Sequence, residues 1–294
     1  MKKVLVFAID ALDYYLVEKY GLPNLKQIEY GTTQLPVEEG EPIRSPAMWV
    51  SFITGEPPEV HGITGRKVFK SQGLTWLRKN IGPYLGFIKN KSKIMGKMGV
   101  GMAQEDNEHL KVNTIFDFIP NSLYFNIPGY KEPDENFELR ERTALSLENR
   151  KGYREIKERM EEIYAKRKEE FLNIFDEKWE LLVYHFYILD GMQHLFSWDE
   201  NFIKSLYLRF EELAEIVKTK VGDETLIIIV SDHGQSDGKH THYGFYSVNK
   251  PLNLDDPKLV DFYQIIMDYL EKKPYTEEEE KILADRLRKL GYVS

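Results

Sequence analysis

Four short apolar segments constrain the fold of this sequence more than any other feature. They are VLVFAI (4–9), SLYFNI (122–127), LLVYHFY (181–187) and TLIIIV (225–230). None alternates between apolar and polar residues, and such strands are buried on both faces, as in a parallel sheet covered by helices. Sequence with helical periodicity separates the segments. The pattern therefore predicts an α/β fold, a three-layer α/β/α sandwich with a largely parallel central sheet.

Helical patterns occupy much of the remaining sequence. The longest predicted helix runs from about 137 to 175, another runs from about 200 to 220, and two more close the chain. The last of these begins at a capping box formed by Thr276 and Glu279 and stops at Gly291.

Residues 67–115 are less regular, with glycines, aromatic residues and charges intermixed, and they predict an insertion over the edge or mouth of the sheet. The sequence shows no clean domain boundary. A chain of 294 residues, 42% of them hydrophobic, can bury a large core, so we expect one catalytic domain over residues 1–294.

The absence of cysteine excludes disulfides, cysteine-ligated zinc, iron–sulfur clusters and a thiol nucleophile. Carboxylate, imidazole or hydroxyl groups must therefore hold any metal ion.

The net charge of -8 comes from interspersed Glu and Lys, so we expect no nucleic-acid-binding face. The charged fraction of 30% suits a heat-adapted protein, which a melting temperature below about 60 °C would contradict.

The N-terminal segment MKKVLVFAID starts with basic residues, but its apolar run stops at Asp10 and is shorter than that of a secretory signal. No segment approaches the roughly 20 apolar residues that cross a bilayer. We therefore expect a soluble, cytoplasmic protein without a membrane partner, and the oligomeric state stays open.

Side chains of metal-ligand types follow three of the four apolar segments, where open α/β sheets bind their ligands. These residues are Asp10, Asp190, His194, Asp232 and His233. If a helix starts near Asp190, its spacing from His194 puts both side chains on one face, where they can chelate one ion. Asp10 alone also fits a turn, and Asp190 and His194 also fit an N-cap and a surface residue. Asp232 and His233 are a stronger signal, because a charged pair just after four β-branched residues is costly unless it is used. Together these residues favour a metal site.

Three of the seven histidines lie in SDHGQSDGKHTH (231–242). His240 and His242 are either further ligands or loop residues. We expect His185, inside its strand, and His109, in the irregular region, to have no role at the site.

The segment RSPAMWVSFITGEPPEVHGI (44–63) predicts a helix with Ser45 at the N-cap, Pro46 at the first helical position and Gly55 at the end. A hydroxyl at a helix N-terminus suits a bound phosphate or other oxyanion. An ordinary Ser-Pro cap is the alternative, and the nearby metal-type residues favour the functional interpretation.

These segments resemble the type I phosphodiesterase/nucleotide pyrophosphatase branch of the alkaline phosphatase superfamily. The matching pieces are FAIDALD with GLPNL, SPAMWVSFITGEPPEVHGI, YILDGMQH, SDHG and KHTHYGFYS, which occur in the family's order over residues 4–247. The resemblance implies an alkaline phosphatase-like fold and a metal-dependent phosphoester hydrolase. Its substrate would be a small phosphoester such as a nucleotide.

The resemblance also implies two divalent ions, zinc or manganese, with iron or cobalt as alternatives. One ligand set would be Asp10, Asp232, His233 and the hydroxyl of Ser45. The other would be Asp190, His194 and a late histidine. His240 fits best because relatives show His-Thr-x-x-x-Phe-Tyr-Ser, and His242 is the alternative.

In this family the nucleophile is usually Thr, and the matching residue here is Ser45, which would form a phosphoseryl intermediate. The family's phosphate-binding Asn falls on Arg66, a planar, always-charged group that would clamp phosphate and favour a more anionic substrate. Trp76, Tyr84 and Phe87 either stack on a base or pack within the insertion.

Other functions remain open at this stage. A phosphomonoesterase or a phosphonate hydrolase would use the same site, and a catalytically silent metal-binding module would keep the fold without turnover. A sulfatase is disfavoured because Pro46 directly follows Ser45, and a phosphoglycerate mutase is disfavoured by the chain length.

Overall fold

The structure, a computed structural model, describes residues 2–38, 40–65, 67–69, 102–104, 107–149, 152–236 and 238–273. Its strands are β1 (Lys3–Ile9), β2 (Glu29–Gln34), β3 (Lys67–Phe69), β4 (Met102–Gln104), β5 (Ser122–Phe125), β6 (Leu181–Phe186), β7 (Thr225–Val230), β8 (Gln235–Ser236), β9 (Lys239–His240) and β10 (Tyr243–Val248).

Six strands form the central sheet in the order β2-β10-β7-β1-β6-β5. β1 pairs in parallel with β6 and β7, and β5 pairs in parallel with β6. The strand β10 is antiparallel to both of its neighbours. The largely parallel sheet flanked by helices confirms the predicted fold class.

The α-helices are α1 (Tyr14–Tyr20), α2 (Pro23–Lys26), α3 (Ser45–Thr54), α4 (Pro58–His61), α5 (Ile115–Phe118), α6 (Asp134–Asn149), α7 (Tyr153–Asn173), α8 (Ile188–Phe196), α9 (Glu200–Lys220) and α10 (Asp261–Tyr269). The helix predicted over 137–175 is two helices, α6 and α7. Gly152 precedes α7 with a φ of 77°, a left-handed conformation that glycine adopts without strain and that a continuous helix does not allow.

Alternate residues of β1 face two separate hydrophobic layers. Phe7 packs with residues of α7 and α9, whereas Val6 packs with residues of α3 and α10. Both side chains are fully buried. Because the central strands are covered on both faces, their apolar sequence needs no polar alternation.

Most of the irregular segment over 67–115 and the predicted final helix from Thr276 to Gly291 lie outside the described residues. In the part of the chain that the structure describes, no helix combines the length and apolar character needed to span a membrane.

Candidate active site

The metal-type residues follow adjacent strands in the middle of the sheet. Asp10 comes directly after β1, and Asp232 and His233 follow β7. Asp190 and His194 lie on α8, which begins just after β6. Since β7, β1 and β6 are parallel neighbours, their carboxyl ends bring all five residues to the same edge of the sheet.

The first group contains Asp10, Asp232 and His233, all completely buried, together with the hydroxyl of Ser45. His233 Nε2 lies 3.4 Å from Asp10 Oδ1 and 3.4 Å from Asp232 Oδ2. Ser45 Oγ lies 3.4 Å from Asp10 Oδ1 and 3.3 Å from His233 Nε2. Four potential donor atoms therefore surround one point.

The second group contains Asp190, His194 and His240. Asp190 Oδ1 lies 3.3 Å from His194 Nε2 and 3.4 Å from His240 Nε2. The two imidazole nitrogens are 2.9 Å apart. The helical spacing of Asp190 and His194 thus stacks their side chains on one face of α8, as the sequence suggested.

The geometry of both groups fits a divalent ion. Zinc bound by nitrogen and oxygen at about 2.0–2.1 Å in a tetrahedron requires donor atoms about 3.3–3.4 Å apart. All but one of the separations given above lie at 3.3–3.4 Å. Both carboxylate oxygens of Asp232 are buried without a hydrogen-bond partner. A buried, unpaired carboxylate is costly unless a cation compensates it.

The orientation of His233 also fits metal binding. His194 Nδ1 lies 3.0 Å from the carbonyl oxygen of Gly238, and His233 Nδ1 lies 3.0 Å from that of Gly234. A carbonyl only accepts, so Nδ1 of His233 carries the proton and its Nε2 keeps its lone pair for the ligand group. This arrangement is typical of metal-ligating histidine. His194 Nδ1 has a second neighbour, the side-chain Nε2 of Gln235 at 2.9 Å.

The pKa values of Asp10 and Asp190, one in each group, are shifted in opposite directions. Burial, followed by the charges of Asp232 and Asp190, raises the pKa of Asp10 well above its usual value. Burial also raises the pKa of Asp190, but His194 and His240 outweigh it and hold that pKa well below the usual value. Burial and like-charge repulsion therefore disfavour the ionised form of Asp10 in the first group, and a bound cation would relieve both effects.

The helix α3 begins one residue earlier than predicted. Arg44, with an extended backbone, is the N-cap, and its carbonyl accepts the first α-helical hydrogen bond from Met48 N at 3.2 Å. Ser45 is therefore the first helical residue and Pro46 the second. The hydroxyl of Ser45 does not cap its own helix but faces Asp10 and His233.

His61, from the EVHGI part of the motif, lies beneath α3. Its Nδ1 accepts from Ile63 N at 3.1 Å, so its Nε2 carries the proton and donates to Ser51 Oγ at 3.0 Å. Burial lowers the pKa of His61 to about 4. This histidine fastens the segment after α4 to the helix that carries Ser45.

The two late histidines have different environments. His240 belongs to the second group, whereas the side chain of His242 is exposed and belongs to neither group. His109 is exposed in a short 3-10 helix. Arg66 lies outside the described residues.

His185, for which we expected no role at the site, contacts one of the residues of the first group. His185 is 1% exposed, and its Nε2 lies 3.2 Å from Asp10 Oδ2. Burial, followed by Arg140 and Arg167, lowers the pKa of this imidazole well below its usual value. The contact arises because β1 and β6 pair, an arrangement that the local sequence around His185 does not reveal.

The sequence also did not predict that Asp13 would lie beside the site. One carboxylate oxygen caps α1 by accepting from Tyr15 N and Leu16 N, and the other accepts from Gln235 N at 3.2 Å. Asp13 thereby joins α1 to the hairpin that carries His240. A Cβ at Gly234 would lie 2.3 Å from this carboxylate, so only glycine fits there.

A family model described as type I phosphodiesterase/nucleotide pyrophosphatase matches residues 4–289. No curated protein sequence matches the chain. Among solved structures, the PH0037 protein from Pyrococcus horikoshii is 11% identical with a TM-score of 0.52, over 94% of this chain and 99% of that chain.

Human ectonucleotide pyrophosphatase/phosphodiesterase 5 is 12% identical with a TM-score of 0.53, over 94% of this chain and 96% of that chain. Alkaline phosphatase from the Antarctic bacterium TAB5 is 10% identical with a TM-score of 0.46, over 92% and 98% of the two chains. The first two structures share the fold of this chain. From the family match over nearly its whole length, the chain belongs to the type I phosphodiesterase/nucleotide pyrophosphatase family and is a hydrolase of phosphoester bonds.

Proposed function

We propose that the chain is a two-metal phosphodiesterase/nucleotide pyrophosphatase that acts through a phosphoseryl intermediate on Ser45. The placement of the Ser45 hydroxyl carries this proposal. It is within 3.4 Å of two members of the first group and lies at the N-terminal end of α3. A buried hydroxyl in such a position is suited to nucleophilic attack.

The first ion would be held by Asp10, Asp232, His233 and Ser45, and the second by Asp190, His194 and His240. The donor set contains no sulfur and suits zinc or manganese. We favour zinc, because the separations given for the first group match a tetrahedron, while the two imidazole nitrogens of the second group lie closer together, at 2.9 Å. When bound, the two ions would lower the pKa of the Ser45 hydroxyl and stabilise negative charge on the phosphoryl and leaving oxygens.

In the proposed reaction, Ser45 Oγ attacks phosphorus and the bond from phosphorus to the leaving oxygen breaks. Water then attacks the phosphoseryl group and releases the product with Ser45 restored. His233, the histidine in contact with Ser45, belongs to the ligand group, so no imidazole base is assigned to the hydroxyl. Ser45 therefore relies on coordination for its activation.

Two further features would stabilise charge at the phosphoryl group. The N-terminal turn of α3 presents the positive end of the helix dipole. Arg66 would add a planar cation, a proposal that rests on its position in the motif alone.

The substrate would be a small-molecule phosphoester, with nucleotides as the first class to test. A cavity of about 580 Å³ adjoins the start of α3 and is lined in part by Arg44, Ala47 and Met48. It offers room for the part of a substrate that does not react. We propose that residues 1–294 form one catalytic domain, with an insertion over about 67–115 that contributes to specificity.

Hydrolysis of bis(p-nitrophenyl) phosphate by chelated protein after addition of zinc or manganese tests this proposal, with the p-nitrophenyl monoester as comparison. Metal-dependent turnover that favours the diester supports a phosphodiesterase. Preference for the monoester would instead support a phosphomonoesterase on the same site. Absence of turnover of either ester would favour a phosphonate-type substrate or a silent metal-binding module.

A further inference from the structure

The two carboxylate oxygens of Asp10 have different neighbours. Oδ1 faces the first group, at 3.4 Å from both Ser45 Oγ and His233 Nε2. Oδ2 lies 3.2 Å from His185 Nε2. When Asp10 is ionised, as a metal ligand is, its carboxylate only accepts hydrogen bonds, so His185 Nε2 then carries the proton and donates it to Oδ2.

His185 is itself held firmly in place. His185 lies in β6 and pairs with Ala8 of β1, and Ala8 precedes Asp10 by two residues. The sheet therefore fixes the backbone of His185 relative to the Asp10 carboxylate. The imidazole ring also packs edge-on against Trp49, with ring centroids 5.0 Å apart at an angle of 74°. His185 and Trp49 are each 1% exposed.

We propose that His185 is a positioning residue that occupies Oδ2 of Asp10 and thereby restricts this carboxylate to binding the first metal ion through Oδ1 alone. This inference rests on the proposed function, since it assumes that the first group binds an ion. Without the hydrogen bond from His185, Asp10 would be free to rotate and offer both oxygens. The number of donors in the first group would then rise from four to five.

The consequence for the reaction concerns Ser45. A ligand group with one oxygen from Asp10 leaves room for the Ser45 hydroxyl at the same ion, whereas a second Asp10 oxygen would compete with it. Trp49 lies on α3, the helix that begins at Ser45. His185 therefore contacts both the carboxylate that fixes one side of the group and the helix that delivers the nucleophile.

Three substitutions at His185 test this role. His185→Gln keeps an N–H donor near the position of Nε2. His185→Leu removes the donor at similar side-chain volume. In His185→Asn the side chain is too short for its N–H donor to reach Asp10. His61→Leu is the matched control. His61 is also a fully buried histidine, and it belongs to neither ligand group.

The readout is the visible absorption of Co²⁺ added to chelated protein, because four-coordinate Co²⁺ absorbs more strongly than five-coordinate Co²⁺. The zinc dissociation constant and the melting temperature are measured alongside. We expect His185→Leu and His185→Asn to weaken the cobalt absorption and to raise the zinc dissociation constant about 10–100-fold. His185→Gln should restore the wild-type spectrum. His61→Leu should lower the melting temperature and change the spectrum less than His185→Leu or His185→Asn does, because His61 contacts no carboxylate of the first group.

If His185→Leu does not fold, the comparison of His185→Asn with His185→Gln decides the question. Wild-type spectra and zinc affinities in His185→Leu or His185→Asn would overturn the inference while leaving the proposed function intact. Failure of the wild-type protein to bind cobalt or zinc would overturn the proposed function first, and the inference with it.

Discussion

His194 Nε2 and His240 Nε2 lie 2.9 Å apart, although 46 positions separate the two residues in the sequence. His240 lies in the short β9 strand, whereas the other two members of the second group lie on α8. Replacing His240 with Ala should therefore remove one of three ligands from the second ion.

We expect His240→Ala to bind about one zinc equivalent per chain tightly instead of two, and to lose diester turnover by about 10²-fold or more. His242→Ala is the matched control, since His242 is exposed and lies two residues away. Zinc content by atomic emission and turnover are the measurements. Equal losses in both variants would contradict the assignment of His240.

Ser45 should be essential for turnover but not for metal binding. Its hydroxyl is the proposed nucleophile, whereas three stronger ligands remain in the first group when it is removed. We expect Ser45→Ala to lose about 10³-fold or more in kcat while zinc content stays near two per chain. Ser45→Thr keeps a hydroxyl and should retain turnover. Full activity in Ser45→Ala would disprove the nucleophile assignment.

The carboxylate of Asp232 should destabilise the folded protein without metal and stabilise it when zinc is bound. Its carboxylate is fully buried, has no hydrogen-bond partner and raises the pKa of Asp10 through like-charge repulsion. In chelated protein, Asp232→Asn should therefore raise the free energy of unfolding, on the order of 1–3 kcal/mol. Added zinc should stabilise the wild type by about 3 kcal/mol at 100 times the dissociation constant and the variant by much less.

Urea unfolding with chelator and with zinc measures both effects. A wild-type protein that gains no stability from zinc, or a variant that gains as much as the wild type, would contradict a role for Asp232 in metal binding.

His61 should make the folded protein sensitive to mild acid. Burial lowers its pKa from 6.5 to about 4, so between these values the unfolded chain binds more protons than the folded one. Stability is then fully present above about pH 6.5 and falls as the pH drops towards 4, by roughly 3 kcal/mol in total.

Replacing His61 with Gln removes this titration while keeping an amide donor for Ser51. The difference in unfolding free energy between the wild type and His61→Gln should therefore change between about pH 7 and about pH 4.5, in chelator so that metal binding does not contribute. A difference that stays constant over this range would show that the pKa of His61 is the same in the folded and the unfolded protein and would contradict its lowering by burial.

The interior of the sheet was predictable because its strands are apolar on both faces. The strand β7, TLIIIV, has the predicted bounds, and β5 ends two residues early because Asn126 adopts a φ of 64°. The two strands at the antiparallel side, β2 and β10, were not predicted. The sequence of β2, EYGTTQ, is mostly polar and partly exposed, so its hydrophobic pattern does not predict its pairing with β10.

The meeting of Asp10, Asp190, His194, Asp232 and His233 was predictable because they follow parallel strands, whose carboxyl ends lie at one edge. Their division into two ligand groups and the choice of His240 came from the family resemblance. The roles of His185 and Asp13 were not predictable. Each depends on a contact between distant segments, namely His185 with Asp10 across 175 positions and Asp13 with Gln235 across 222 positions. Such contacts follow from strand pairing and hairpin placement, which local sequence does not encode.

The most direct test of the two-metal account is the diester turnover rate of chelated protein as zinc is added in stoichiometric steps. The account predicts no turnover without metal and a rise that levels off at two zinc equivalents per chain. Undiminished turnover in the chelated protein, or two bound zinc ions without turnover of any phosphoester, would contradict it.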